Sequence, residues 1–264
     1  MIKVTQGHGP IVLGLPHTGT DVPDDIHDLL NDRGRALADT DWNIHRLYAG
    51  LLDDVTTVRT PIHRYVIDVN RGPDDASLYP GQNTTGLCPV TDFDGNPIYR
   101  PGCEPDAPEI DRRRQAYHQP YHHALSTELA RVKAIHGSVI LYDCHSIRGK
   151  IPHLFANTLP DLNIGTNSST SCAQTVEKTV HEICHSAPGF TSVVNGRFKG
   201  GWTTRTYGQP AQGIHAIQME LAQSTYMQEA PPWTYDDTRA AHLRKTLSRI
   251  LNALQHLVHK GGPL

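Results

Sequence analysis

The chain has 264 residues, 38% of them apolar, with 24 lysines and arginines against 27 acids and a formal charge of −3. That length suits one sizeable α/β domain, and no break in composition argues for two. The balanced charge and a pI near 6.6 exclude a general attraction to nucleic acid or anionic lipid, which leaves a small molecule as the expected partner.

The N-terminus, Met1 to Pro10, lacks the apolar core of a signal peptide, and no run approaches the ~20 apolar residues of a membrane span. A cytosolic protein is expected. Ile11-Val12-Leu13-Gly14-Leu15 reads as a short buried strand that breaks at Pro16-His17-Thr18-Gly19-Thr20, so His17 stands in a turn just past a strand end. Asp21-Val22-Pro23-Asp24-Asp25 opens a short helix to about Arg35, with acids at its electropositive end. Asp39-Thr40-Asp41 begins the next. Its acids serve either as a helix cap or as carboxylates facing the strand-end histidines.

Two strands are predicted in succession, Thr56 to Ile62 and Arg64 to Arg71. In the second, alternation places Arg64, Val66, Asp68 and Asn70 on one face, which is too polar for a dry core and is expected to meet water, a ligand or ion-pair partners. Residues 72–105 are rich in Gly, Pro, Asp and Asn. A loop this long inside a compact domain is usually a lid or a binding loop, here with a hairpin around Asp94-Gly95-Asn96. A helix runs from near Pro108 to about Ile135, kinked at Pro120.

Val139-Ile140-Leu141-Tyr142-Asp143-Cys144-His145-Ser146 is the stretch around which the rest is organised. A buried apolar strand ends in a carboxylate and an imidazole, at the place where open α/β sheets put their chemistry. Beyond it follow a basic loop at 148–152, a strand at 161–165, a helix at 171–185 and a strand at 191–194. A glycine-led turn at 200–205 then presents Arg205, a last core strand from His215 to Leu221 carries Glu220 near its end, and an amphipathic helix spans 235–259. Strands alternating with helices predict a mixed, mainly parallel sheet covered on both faces. Five cysteines at irregular spacing form no CxxC pair and suit a reducing compartment.

Seventeen histidines make metal binding worth testing and also favour accidental motifs. His181-Glu182-Ile183-Cys184-His185 is a literal HExxH, the helical zinc motif. At 100° per residue, however, Cys172, Val176, Val180, Ile183 and Cys184 gather on the apolar side, so both histidines face solvent, and the helix stops at once in Ser186-Ala187-Pro188-Gly189. His118 and His122 are four apart, but Pro120 between them disrupts that spacing, which makes them surface or pocket-lining residues rather than a metal pair. The competing constellation is His17, a carboxylate and His145, with Glu220 as base and arginines at 64, 71 and 205. Zinc in hydrolases takes three such ligands and keeps a position for water, and neighbouring guanidinium groups bind a substrate's carboxylates. Ordinary ion pairs with Asp68 or Asp74 are the alternative role for these arginines.

Pro16–Thr20, Asp39-Thr40-Asp41-Trp42, Arg64–Arg71, Asp143–Ser146, Asp161–Asn167 and the block from Gly200 through Met227, in this order, resemble the N-formylglutamate deformylases, the N-formylglutamate amidohydrolase family of histidine degradation. The resemblance implies a fold similar to the zinc carboxypeptidases and hydrolysis of an N-acyl dicarboxylic amino acid to formate and glutamate with a divalent metal, Zn²⁺ first. It further implies His17 and His145 as ligands, Glu220 as general base, Arg64 as the group polarising the scissile carbonyl, and Asn70 with Arg71 on a substrate carboxylate. Arg205 is added by charge and position as a second carboxylate clamp. Those relatives carry HxxE where this chain has Thr20, so the second ligand is expected elsewhere, at Asp41 in preference to Asp39 or Asp143, with Asp143 behind an imidazole. A zinc deacylase or peptidase acting on another N-acyl amino acid is the alternative reading.

Overall fold

The computed structural model describes residues 1–259. From the N-terminus the elements are β1 (Lys3–Thr5), β2 (Ile11–Leu15), α1 (Asp24–His27), α2 (Asp32–Arg35), α3 (Ile44–Tyr48) and β3 (Thr56–Arg59). After a long irregular stretch come α4 (Ala107–Arg113), a π-helical turn (Arg114–His118), α5 (Gln119–His136) and β4 (Val139–Ile147). The second half supplies β5 (Leu162–Gly165), α6 (Gln174–His185), β6 (Ser192–Val194), α7 (Trp202–Tyr207), β7 (Ile214–Ala222) and α8 (Asp237–His259).

The strands form one sheet in the order β1-β3-β2-β4-β7-β5-β6. Its centre, β3-β2-β4-β7, is parallel, while β1 and β5 run antiparallel to their inner neighbours. The expected mixed, mainly parallel α/β sheet is therefore present. Strand alternation decides what covers it. Ile11, Leu13, Ile140, Tyr142, Cys144, Ile217, Met219 and Leu221 pack under α3, α6 and α8, whereas Val12, Val139, Leu141 and Ala216 pack under α5. Helix α8 shows the periodicity that makes this work: Leu243, Leu247, Ile250, Leu251 and Leu254 recur at three- and four-residue spacing and are fully buried, each worth roughly 1.5–3 kcal/mol. No described helix is long and apolar enough to cross a membrane.

Several local expectations are corrected. Arg64–Arg71 is a series of turns rather than a strand: Val66 N–H donates to the His63 carbonyl, Arg71 N–H to the Asp68 carbonyl, and Asn70 N–H to the Asp68 side chain. Its β-branched residues do not alternate, since Val66, Ile67 and Val69 all enter the core under α5. The segment after Gly201 is the helix α7, not only a turn. The helix predicted over 21–35 is two single turns, α1 and α2, and the one opening at Asp39 forms only from Ile44, with Asn43 rather than an aspartate at its cap. Pro120 does not interrupt its helix. The turn before it widens so that Gln119 N–H reaches the Arg114 carbonyl, and the helix continues to His136.

Candidate active site

The α5 face of the central strands changes character along their length. Val139, Leu141 and Ala216 are apolar, and the next positions on that face towards the carboxyl ends are Asp143 and His145 on β4 and Gln218 and Glu220 on β7. Register places Asp143 opposite Gln218 and His145 opposite Glu220. On the other side of β4, Gly14 of β2 stands opposite Asp143; a Cβ there would approach the Asp143 carboxylate to 3.2 Å, so glycine makes room for the acid.

His17 follows the end of β2, and its carbonyl accepts the Asp41 N–H at 3.0 Å, tying the 39–43 turn to that strand end. Asp41 Oδ2 in turn accepts the Ser146 N–H at 3.0 Å, beside the end of β4. These two backbone links bring together ligand atoms of His17, Asp41 and His145, all buried and all within 4.8 Å of one another. Nδ1 of His145 is 3.3 Å from Asp41 Oδ2, and Nδ1 of His17 is 3.8 Å from Asp41 Oδ1. Asp41 Oδ1 is buried and accepts no hydrogen bond among the described residues, which is costly for a carboxylate unless a cation completes it. Two imidazoles and a carboxylate are also a donor set that zinc takes. The residues present thus fit a divalent metal.

Each imidazole has a carboxylate behind it. His17 Nε2 meets Asp68 Oδ1 at 2.7 Å, and His145 Nε2 lies 3.2 Å from Asp143 Oδ1 and 3.1 Å from the Asn70 side-chain amide. Both rings therefore turn Nδ1 towards Asp41 and Nε2 away, the arrangement in which outer acids orient metal-binding histidines. Asp143 occupies the place expected of it. Asp68 was missed in this role, although its position two residues before Asn70 was a usable signal. Asp39, the other candidate, instead accepts the Tyr65 hydroxyl at 2.8 Å and the Phe93 N–H at 2.7 Å.

Arg64 lies against this cluster. It donates to Asp68 Oδ2 at 2.6 Å, approaches Asp41 Oδ1 to 3.7 Å, and covers the Phe93 ring at 4.6 Å. Its pairing with Asp68 is the ion pair that the sequence offered as an alternative role. Beyond it a cleft of about 690 Å³, open mouth included, is lined by His17, Arg64, Asn70, Arg71, His145, Arg197 and Glu220. Leu78, Tyr79, Asn83, Thr84, Thr85 and Phe93 also line it, so the 72–105 segment does form a wall of the cleft. Arg205 does not line it. Its guanidinium sits over the Tyr79 ring at 5.1 Å and donates to the Gly200 carbonyl, while Arg197, which sequence reasoning passed over, reaches the cleft. Gln218 was also passed over; it links the Gly201 N–H at 2.7 Å to Glu220 at 3.0 Å.

Burial alone would lower the pKa of His145, but Asp143, Asp41 and Glu220 around it hold it well above the ordinary histidine value. His17 is lowered by burial and by Arg64. Burial would raise Asp68, yet His17 and Arg64 hold it well below the usual carboxylate range. Glu220, 6% exposed, is raised to about 8, chiefly by burial. A buried carboxyl poised near neutrality beside two imidazoles is suited to proton transfer.

The two decoy motifs fall as the sequence suggested for the first and differently for the second. His181, Glu182 and His185 are exposed while Val176, Val180 and Cys184 are buried. His118 is buried and His122 partly so, and both point at backbone carbonyls.

An α/β sheet with a buried His-Asp-His group, an adjacent acid and arginines at the strand ends defines a hydrolase-type site for an anionic small molecule. The sequence profile of N-formylglutamate amidohydrolase matches residues 9–227, and the chain belongs to that family. Among relatives, it is 43% identical over 255 residues to an N-formylglutamate deformylase of Pseudomonas aeruginosa, covering 96% of each chain, and 44% identical to one of Pseudomonas putida, covering 96% of this chain and 95% of the relative. The fold is that of a solved N-formylglutamate amidohydrolase from Ralstonia eutropha, with a TM-score of 0.83 at 23% identity over 99% of both chains. A gene product of Agrobacterium tumefaciens aligns with a TM-score of 0.73 at 18% identity, covering 97% of this chain and 95% of that one.

Proposed function

We propose that this chain hydrolyses N-formyl-L-glutamate to formate and L-glutamate, with a divalent metal, first of all zinc, held by His17, Asp41 and His145. The observation that carries the reading is the buried convergence of those three side chains at the rim of the cleft that contains Glu220 and Arg71. The names of the Pseudomonas relatives supply the substrate.

A zinc ion in such a site polarises the scissile carbonyl and makes water acidic enough to react at neutral pH. The chain's own residues do the rest. Asn70 and Arg71 hold one substrate carboxylate, and Arg197, which lines the cleft where Arg205 does not, attracts the other. Arg64 faces the formyl oxygen and stabilises the negative charge it gains. In its ionised form, which burial disfavours and a cation bound nearby would favour, Glu220 takes a proton from the attacking water and returns it to the departing amine. The C–O bond forms and the C–N bond breaks; one water proton reaches the nitrogen through Glu220, the remaining hydroxyl proton follows it to the amine, and formate and glutamate in its ammonium form leave. Asp68 and Asp143 keep the two imidazoles oriented throughout.

Placement in histidine degradation, a cytoplasmic location and a likeness to zinc carboxypeptidases go with this reading. The test is formate release from N-formylglutamate by purified protein, compared with glutamate release from N-acetylglutamate and N-succinylglutamate. Formate release that a chelator abolishes and zinc restores is expected. Preference for a larger acyl group would make the chain a deacylase of another N-acyl amino acid.

A further inference from the structure

The Asn70-Arg71 turn has three successive carbonyls, and each accepts a hydrogen bond from a group distant in sequence. His122 Nε2 meets the Val69 carbonyl at 2.7 Å, the Trp202 N–H meets that of Asn70 at 3.2 Å, and His118 Nε2 meets that of Arg71 at 2.9 Å. The Asn70 side-chain oxygen accepts from Thr203 N–H at 3.0 Å, and Gly201 permits that approach, since a Cβ there would lie 2.3 Å from the Asn70 amide nitrogen. No strand partner holds these residues, so the hydrogen bonds of the turn come from the π-helical turn, from α5, from α7 and from Asp68.

Both histidines donate through Nε2. His122 Nδ1 is 3.1 Å from the Tyr207 hydroxyl, and the two imidazole rings lie with centroids 4.4 Å apart against Trp202. Four residues apart on a continuous helix, the two histidines share one face, and the π turn over Arg114–His118 lets that helix run through Pro120. His118 thereby reaches the carbonyl of a cleft-lining arginine.

We infer that His118 and His122 are positioning residues that clamp the backbone on either side of Asn70 and so aim Asn70 and Arg71 at a substrate carboxylate. The inference rests on the proposed role of Asn70 and Arg71. The histidines touch neither substrate nor metal; they act by fixing the turn before the ligand arrives, so that binding need not order it.

The test compares the double variant His118→Ala/His122→Ala with His118→Gln/His122→Gln, in which an amide N–H₂ can still donate to the carbonyls. Steady-state formate release and hydrogen–deuterium exchange over residues 66–74 are measured for both and for the parent chain. The alanine variant is expected to raise KM by about tenfold, the effect of two lost hydrogen bonds, with kcat within about threefold. Exchange at the Asn70 and Arg71 amides should accelerate while exchange in β4 and β7 stays unchanged, and the glutamine variant should recover both. A KM within about twofold of the parent's, or a lowered melting temperature without a change in KM, overturns the inference. Should the parent release no formate, the functional reading fails separately, and exchange decides this point alone: unaltered exchange at 70–71 in the alanine variant overturns it. If the alanine variant does not fold, the single glutamine and alanine variants are read by the same criteria.

Discussion

His145 and Glu220 are register partners across the parallel strands β4 and β7, set side by side by the sheet itself on the face where α5 ceases to supply apolar cover. No loop has to find its conformation for this imidazole and this carboxyl to meet. Glu220→Gln keeps the shape, and its side-chain oxygen can still accept from Gln218. We expect kcat to fall by about 10²–10⁴-fold with bound metal and circular dichroism unchanged. Loss of metal alongside activity would show that the carboxylate serves the ion rather than the proton.

Asp41→Asn retains an oxygen to accept the Ser146 N–H but removes the negative charge between the two imidazoles. Zinc affinity should drop by more than about 100-fold, beyond the range seen for outer partners, and formate release with it. Because His145 is held well above the ordinary histidine value, it is protonated at neutral pH and must lose its proton to ligate. Zinc uptake is therefore expected to release protons and to weaken as pH falls, which calorimetry in buffers of differing ionisation enthalpy measures.

His181→Ala/His185→Ala should leave metal stoichiometry and formate release within about twofold of the parent. Both side chains are exposed on α6, opposite its buried Val176, Val180 and Cys184. Metal analysis of the purified variant checks this directly.

Glu109→Gln probes stability away from the site. Glu109 receives Arg112 at 2.6 Å and the buried Arg113 at 2.7 Å, and these hydrogen bonds hold its carboxyl at about 2 rather than 4.5. A depressed folded value contributes stability above pH 4.5 that is lost as pH falls towards 2. The variant should be about 1 kcal/mol less stable at pH 7, after allowance for solvent screening, and the difference should vanish near pH 2 in urea titrations.

The central strands were readable because buried parallel strands leave unbroken apolar runs, and a polar residue at the end of such a run has nowhere to go but the rim. His17, His145 and Glu220 were found that way. Asp41 was favoured over Asp39 once Thr20 had to be discounted, but what separates the two acids in space is a pair of backbone hydrogen bonds, to the His17 carbonyl and from Ser146, that leave no local trace. Arg64–Arg71 misled for a related reason. Tyr, Val, Ile and Val have strand preferences, yet the donors to that backbone come from residues some fifty to a hundred and thirty positions away, and no window of sequence shows them. The third arginine lining the cleft was equally hidden: Arg197 lies in the irregular chain before α7 and reaches the cleft, whereas Arg205 stands on α7 with its guanidinium over Tyr79.

The assignments at this site come from residues 17, 41, 64, 145 and 220, two of them on the adjoining strands β4 and β7 and three in turns outside any strand. No contiguous fragment shorter than residues 17–220 contains them. Catalysis can return only after the first and last thirds of the chain have met across β4, which is the slow, non-local part of building a parallel sheet. Regained turnover after dilution from denaturant would consequently trail the recovery of helical signal, making enzymatic rate a clock for the final docking of the strands.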